Sequence, residues 1–76
     1  MDDAALKMRK VWEYVFQRPV EPDTDFFADL EGDSRAAATL AYGINLEFGV
    51  EVPMIEVFDH PTPAELTKVV LALQAA

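Results

Sequence analysis

The run Asp25-Phe26-Phe27-Ala28-Asp29-Leu30-Glu31-Gly32-Asp33-Ser34 decides the reading of this chain, because it ends where a helical apolar pattern begins. Beyond it Ala37, Leu40, Ala41, Ile44 and Phe48 recur on one helical face, and Gly49 follows as the residue expected just past a helix C-terminus. Asp33 suits the N-cap: its carboxylate can accept the N–H of Arg35 or Ala36, which leaves Ser34 at the first helical position with its hydroxyl directed outward. A hydroxyl there lies beside unpaired backbone N–H groups and the positive end of the helix dipole, where a phosphate is favoured. On local sequence alone, Ser34 also fits the plainer role of a favoured helix-start residue.

Working outward, the periodicity predicts helices and no strand. Met8, Val11, Trp12, Val15 and Phe16 follow the spacing of a first helix, with Asp2 or Asp3 available to cap its start and Pro19 placed to stop it. A loop with Pro19 and Pro22 leads to Phe26 and Phe27, both expected as core anchors on a short helical turn. Gly43 lies inside the second helix at a cost of about 1 kcal/mol relative to alanine. After Gly49 the chain should run extended through Val50, Val52 and Pro53 into a short third helix around Met54 to Phe58. Thr62-Pro63-Ala64-Glu65 has capping-box spacing with proline at the first helical position, and Leu66, Val69, Val70 and Leu73 form the expected buried stripe of a last helix. The fold class is therefore all-α, a small four-helix bundle of three longer helices and one short one. Its expected core contains Trp12, Phe16, Phe27, Leu40, Ile44, Phe58, Leu66 and Val70.

Composition bounds the rest. At 76 residues the chain is read as one domain, 1–76, and a domain of this size buries only about 60% of its unfolded surface. There is no cysteine and a single histidine, His60, so neither a disulfide framework nor a zinc site is suggested. No apolar run approaches the ~20 residues of a membrane span, and Met1 leads into Asp2-Asp3 instead of a signal-peptide core. A cytoplasmic monomer is expected, without membrane contact. A first helix beginning right after Met1 and a chain ending with the last helix favour a discrete protein over an excised domain.

The net charge of −8 is unevenly placed. Residues 1–18 sum to +1, residues 19–65 to −10 and residues 66–76 to +1. Glu21, Asp23, Asp25, Asp29, Glu31 and Asp33 precede Ser34 with no base among them, so this surface should repel nucleic acid and attract basic protein patches. A solvated acidic loop that only maintains solubility is the alternative.

The run through Ser34, together with Phe48-Gly49-Val50-Glu51-Val52-Pro53 and Phe58-Asp59-His60-Pro61-Thr62, resembles the carrier (thiolation) domains of nonribosomal peptide and polyketide synthesis, from about Trp12 to Val70. In that family a separate phosphopantetheinyl transferase moves 4′-phosphopantetheine from coenzyme A onto a serine in a motif of the form Leu-Gly-Gly-(Asp or His)-Ser-(Leu or Ile). Leu30, Gly32, Asp33 and Ser34 match it. The resemblance implies that Ser34 carries the arm, with Gly32, Asp33 and Arg35 around the attachment point. Acyl or aminoacyl groups would ride on its terminal thiol as thioesters, and the carrier itself would perform no chemistry. The implied partners are the transferase, an adenylation or other acyl-loading enzyme, and downstream condensation or tailoring enzymes. Phe26-Phe27 and the His60-Pro61-Thr62 turn look more like peptidyl than fatty-acid carriers. Two positions depart: Glu31 replaces the first glycine, and Arg35 replaces the apolar residue after the serine, where its charge opposes the helix dipole. Pairing of Arg35 with Asp33, Glu31 or an attached phosphate, recognition by an unusual partner set, or outright loss of modification would account for it.

At about 100° per residue, Arg35, Thr39, Tyr42 and Leu46 fall opposite the buried stripe of the second helix and form a candidate partner-docking ridge. Competing motifs fail: Asp23, Asp25 and Phe27 begin an EF-hand spacing that lacks its later ligands and glycine. Gly32-Asp33-Ser34 begins a G-x-S-x-G pattern that Ala36 breaks, with no strand before it. Two classes remain, a modified carrier and an unmodified carrier-like helical adaptor.

Overall fold

Apolar periodicity and capping residues point to three longer helices, with a short one expected around Met54 to Phe58, and the computed structural model, which describes residues 3–76, has all four. They are α1 (Asp3–Phe16), α2 (Ser34–Phe48), α3 (Ile55–Asp59) and α4 (Pro63–Ala75), and among the described residues there is no strand. α1 packs against both α2 and α4, while the short α3 bridges α2 and α4.

The helix ends follow from local chemistry. α1 stops at Phe16 because Gln17 adopts a left-handed conformation (φ 56°), its N–H bonding Glu13 O at 2.8 Å and its side-chain amide bonding Tyr14 O at 2.6 Å. Pro19, expected to end the helix, follows a helix already closed. Asp3 is the first residue of α1, and the other expected cap, Asp2, lies outside the described residues. α2 ends with Gly49 in the left-handed region (φ 67°), its N–H on Asn45 O. The Asn45 side chain then accepts the Val52 N–H at 2.7 Å, fastening the extended connection to α3. At α4, Thr62 Oγ1 accepts the Glu65 N–H at 3.2 Å. The Glu65 carboxylate receives the Thr62 hydroxyl at 2.8 Å, where a full capping box would return it to the Thr62 backbone amide.

Trp12, Leu40, Ile44, Leu66 and Val70 are fully buried as expected, and Phe16 and Phe58 are half-buried against them. Two expectations are corrected. Phe27 is 43% exposed, and the core position belongs to Phe26, with no exposed surface. The Asp25 carboxylate accepts the N–H groups of both Phe27 and Ala28 at 2.8 Å, and Phe26 N–H bonds Pro61 O at 2.7 Å, so the turn is pinned with Phe26 inward and its neighbour outward. Leu73 is 40% exposed and Val69 half-buried: after Val70 the helix is covered only in part, and residues 71–76 are all exposed although the Gln74 amide still reaches Phe48 O at 3.2 Å. The buried face of α4 is instead Pro63, Leu66, Thr67 and Val70, the Thr67 hydroxyl donating to Pro63 O at 2.7 Å.

Phe26 is the hub of an aromatic cluster. Trp12, Phe16, Phe27 and Phe58 all meet its ring edge-to-face, with centroids 5.1 to 6.2 Å away. Phe27 stacks on Phe58 at 5.7 Å. Geometry of this kind contributes about 0.5–1.5 kcal/mol per pair beyond burial.

Glu31 follows this turn with φ 52° and is exposed. A residue with a Cβ pays about 1–2 kcal/mol in the left-handed region, which explains why a glycine is the commoner choice there.

Leu40→Ala is expected to destabilise the protein by about 2–5 kcal/mol, and Leu73→Ala by less than about 0.5 kcal/mol, measured by urea denaturation followed by circular dichroism. Equal losses would contradict the assigned faces. Glu31→Gly should stabilise by about 0.5–1 kcal/mol in the same assay, since relief of the left-handed strain outweighs the extra freedom of the unfolded chain. A loss of stability would show that the Glu31 side chain holds the loop.

Candidate functional site

Ser34 owes its position to the residue two before it as much as to its own helix. A Cβ placed on Gly32 would fall well under 3.0 Å from the Phe26 ring, which is fully buried and held on all sides. Only glycine allows the backbone to cross that ring. The Gly32 N–H reaches back to Phe26 O at 2.8 Å, so the crossing is also hydrogen-bonded. From there Asp33 takes an extended conformation (φ −122°, ψ −176°) and accepts the Ala36 N–H on Oδ1 at 2.8 Å, one of the two cap bonds expected of it. Ser34 is the first residue of α2, exposed, and its hydroxyl makes no hydrogen bond among the described residues.

The acidic approach to Ser34 has two kinds of carboxylate. Asp25 and Asp33 cap backbone amides as above, and Asp29 Oδ2 accepts the Asp25 N–H at 2.8 Å. The side chains of Glu21, Asp23 and Glu31 make no hydrogen bond or ion pair among the described residues. Half of the cluster therefore builds the loop, and all six carboxylates still contribute negative field around the serine. The solubility and steering readings are not exclusive.

Arg35 is exposed, and among the described residues it pairs with neither Asp33 nor Glu31, although these are its nearest acids in sequence. It is the only lysine or arginine between residues 19 and 65. Thr39, Tyr42 and Leu46 are exposed as expected, but the ridge divides. These three line a groove shared with α1, and Arg35 stands apart beside Ser34. The α1 residues Lys7, Lys10 and Tyr14 complete that groove; sequence periodicity could mark them as the outer face of α1 but not say which helix they adjoin.

No group of three or more histidine, cysteine or carboxylate side chains suited to a metal occurs among the described residues. His60 lies between Glu56 (3.4 Å) and Glu65 (3.9 Å), joining the end of α3 to the cap of α4. No described helix is long and apolar enough to cross a membrane.

Comparison with known proteins agrees with this geometry. The chain is 37% identical over 65 residues to a plipastatin synthase of Bacillus subtilis, covering 86% of this chain and 2% of that protein. It is 38% identical over 61 residues to the pyochelin synthetase PchE of Pseudomonas aeruginosa, covering 80% of this chain and 4% of that protein. The chain thus spans a few per cent of the length of these relatives. The fold matches a solution structure of a non-covalent extended docking domain complex of the Pax NRPS, PaxA T1-CDD/PaxB NDD, with a TM-score of 0.86 at 21% identity. That match covers 97% of this chain and 71% of the other. The family model for the phosphopantetheine attachment site matches residues 7–70, and with relatives of this kind the chain belongs to the phosphopantetheine-binding carrier family of nonribosomal peptide synthetases, whose members carry that group covalently.

Proposed function

We propose that Ser34 is the attachment point of 4′-phosphopantetheine, and that the loaded protein holds acyl or aminoacyl groups for enzymes of nonribosomal peptide or hybrid polyketide assembly. The observation that carries this reading is an exposed, uncommitted serine hydroxyl at the first position of a capped helix, fixed there by the Gly32–Phe26 crossing. The site suits the group. The helix start offers unpaired backbone N–H groups to a phosphodiester, and Arg35 offers a guanidinium with no protein carboxylate on it among the described residues. When bound, the group supplies a thiol that forms thioesters.

The residues of this chain then have separate tasks. Asp33 keeps the first turn of α2 formed, Gly32 lets the loop close over the core, and Ser34 presents its oxygen. Among the described residues no side chain accepts a hydrogen bond from the Ser34 hydroxyl, the Asp33 carboxylate being engaged by Ala36 N–H, so a phosphopantetheinyl transferase supplies the activation of the hydroxyl. The carboxylates before Ser34 steer basic faces of the transferase and of loading, condensation or tailoring enzymes toward the attachment point. Arg35, Thr39, Tyr42 and Leu46 are the contact residues on α2, acting in the cytoplasm where coenzyme A is available.

Incubation with coenzyme A and a broad-specificity transferase is expected to add one phosphopantetheinyl group by intact-protein mass spectrometry. Ser34→Ala should abolish the addition with the helical circular dichroism unchanged, and Arg35→Leu, which restores the apolar residue common in the family, should be modified at least as fast as the parent. Modification of the alanine variant would overturn the assignment. Failure of the parent with several transferases would favour the unmodified adaptor.

A further inference from the structure

The three most exposed large apolar side chains among the described residues are Tyr14 (78%), Leu46 (69%) and Tyr42 (66%), and all three line one groove between α1 and α2. Chance scatter of surface apolar residues does not require this convergence. The groove has a volume of about 490 Å³, and its floor is closed by Val11 against Gly43, where a Cβ on the glycine would lie 3.0 Å from Val11 Cγ1. Its α1 wall carries Lys7 and Lys10, neither of which makes an ion pair among the described residues, against a single carboxylate, Glu47, on the α2 wall. In a chain of net charge −8 this is an apolar groove of net positive character.

We infer that the α1–α2 groove is a docking site for an amphipathic helix of a partner protein, whose apolar stripe packs between Tyr14, Tyr42 and Leu46 while acidic side chains at its edge meet Lys7 and Lys10. A cleft running between two helices accepts a third as a ridge in a groove. From Lys7 to Val15 the α1 wall runs about 12 Å at 1.5 Å per residue, room for about two turns of helix. Tyrosines supply large, rigid contact area and are frequent energetic anchors of interfaces. The acidic occupant is argued from charge: a basic helix is drawn to the carboxylates before Ser34, an acidic one is repelled there, and the lysine wall is where the second finds compensation. Thr39, at the near end of the groove, is five residues beyond Ser34, or about 7.5 Å along the helix axis. An occupant would thus sit beside the attachment point while leaving Ser34 open. The inference rests on the carrier reading for what the partner does, and not for the contact itself.

The test uses two synthetic helical peptides with the same leucine and phenylalanine stripe, one with glutamates and one with lysines on the polar edge, titrated into the ¹⁵N-labelled unmodified protein. The glutamate peptide is expected to shift amide resonances along Lys7–Val15 and Thr39–Glu47, and the lysine peptide those of residues 21–33. Lys7→Glu with Lys10→Glu should weaken the glutamate peptide about tenfold or more, and Tyr14→Ala with Tyr42→Ala should weaken it comparably, both with parental circular dichroism. Ser34→Ala should leave its binding unchanged, which separates this inference from the modification site. The inference is overturned if the glutamate peptide does not bind, if it maps elsewhere, or if charge reversal has no effect. It is equally overturned if the groove resonances move with protein concentration alone and sedimentation shows a dimer, because a second copy is then the occupant.

Discussion

The contact between the Gly32 backbone and the buried Phe26 ring is the constraint on which the rest of this small fold depends. In a domain with a thin core, a loop of 17 residues between α1 and α2 would be an entropic burden if it were not anchored. Phe26 anchors it from below through Trp12, Phe16 and Phe58, and two backbone bonds anchor it from the side: Phe26 N–H to Pro61 O and Ala64 N–H to Pro22 O. The His60-Pro61-Thr62 turn thereby has a double task. It supplies the carbonyl that fixes Phe26 inward, and it caps α4 through Thr62. Ser34 sits on α2, but its position is set by residues on α1, α3 and the turn before α4.

What is legible in the sequence is what local chemistry decides. The stripe of α1 from Met8 to Phe16, the Asp33 cap, the left-handed Gly49 and the Thr62 cap each depend on residues within a few positions of one another, and each is present. Where sequence and structure differ, tertiary contacts decide. Phe26 and Phe27 are equal as sequence, and the long-range contacts of Phe26, its N–H bond to Pro61 O 35 residues away and its packing on Trp12, Phe16 and Phe58, choose between them. Leu73 continues a perfect apolar spacing into a last turn and a half of α4 that the neighbouring helices cover only in part. Periodicity places the α2 ridge on the surface of one helix, and the α1 residues that complete the groove have no signal there, since periodicity does not say which helices are adjacent.

Glu31 and Arg35 show how departures from a family pattern acquire physical meaning. Glu31 occupies a left-handed position that a glycine would take without strain, so it carries a local cost of about 1–2 kcal/mol and leaves the loop shape intact. Arg35 is a cation in the first turn of a helix, against the dipole, and has no carboxylate partner among the described residues. A charge placed there without internal compensation is available to an anion outside the protein, whether the phosphodiester proposed for Ser34 or a partner's side chain.

The most direct test of the account is a double-mutant cycle between Phe26 and Gly32, read as kcat/KM for phosphopantetheinyl transfer under conditions where circular dichroism shows each variant folded. Gly32→Ala alone should slow modification strongly, because the new Cβ displaces the loop that positions Ser34. Adding Phe26→Leu, which removes the ring the Cβ would strike, should restore much of the rate, giving a coupling of the ~0.5–3 kcal/mol typical of residues in contact. Additive losses in the double variant would contradict the claim that the Phe26–Gly32 crossing presents the serine.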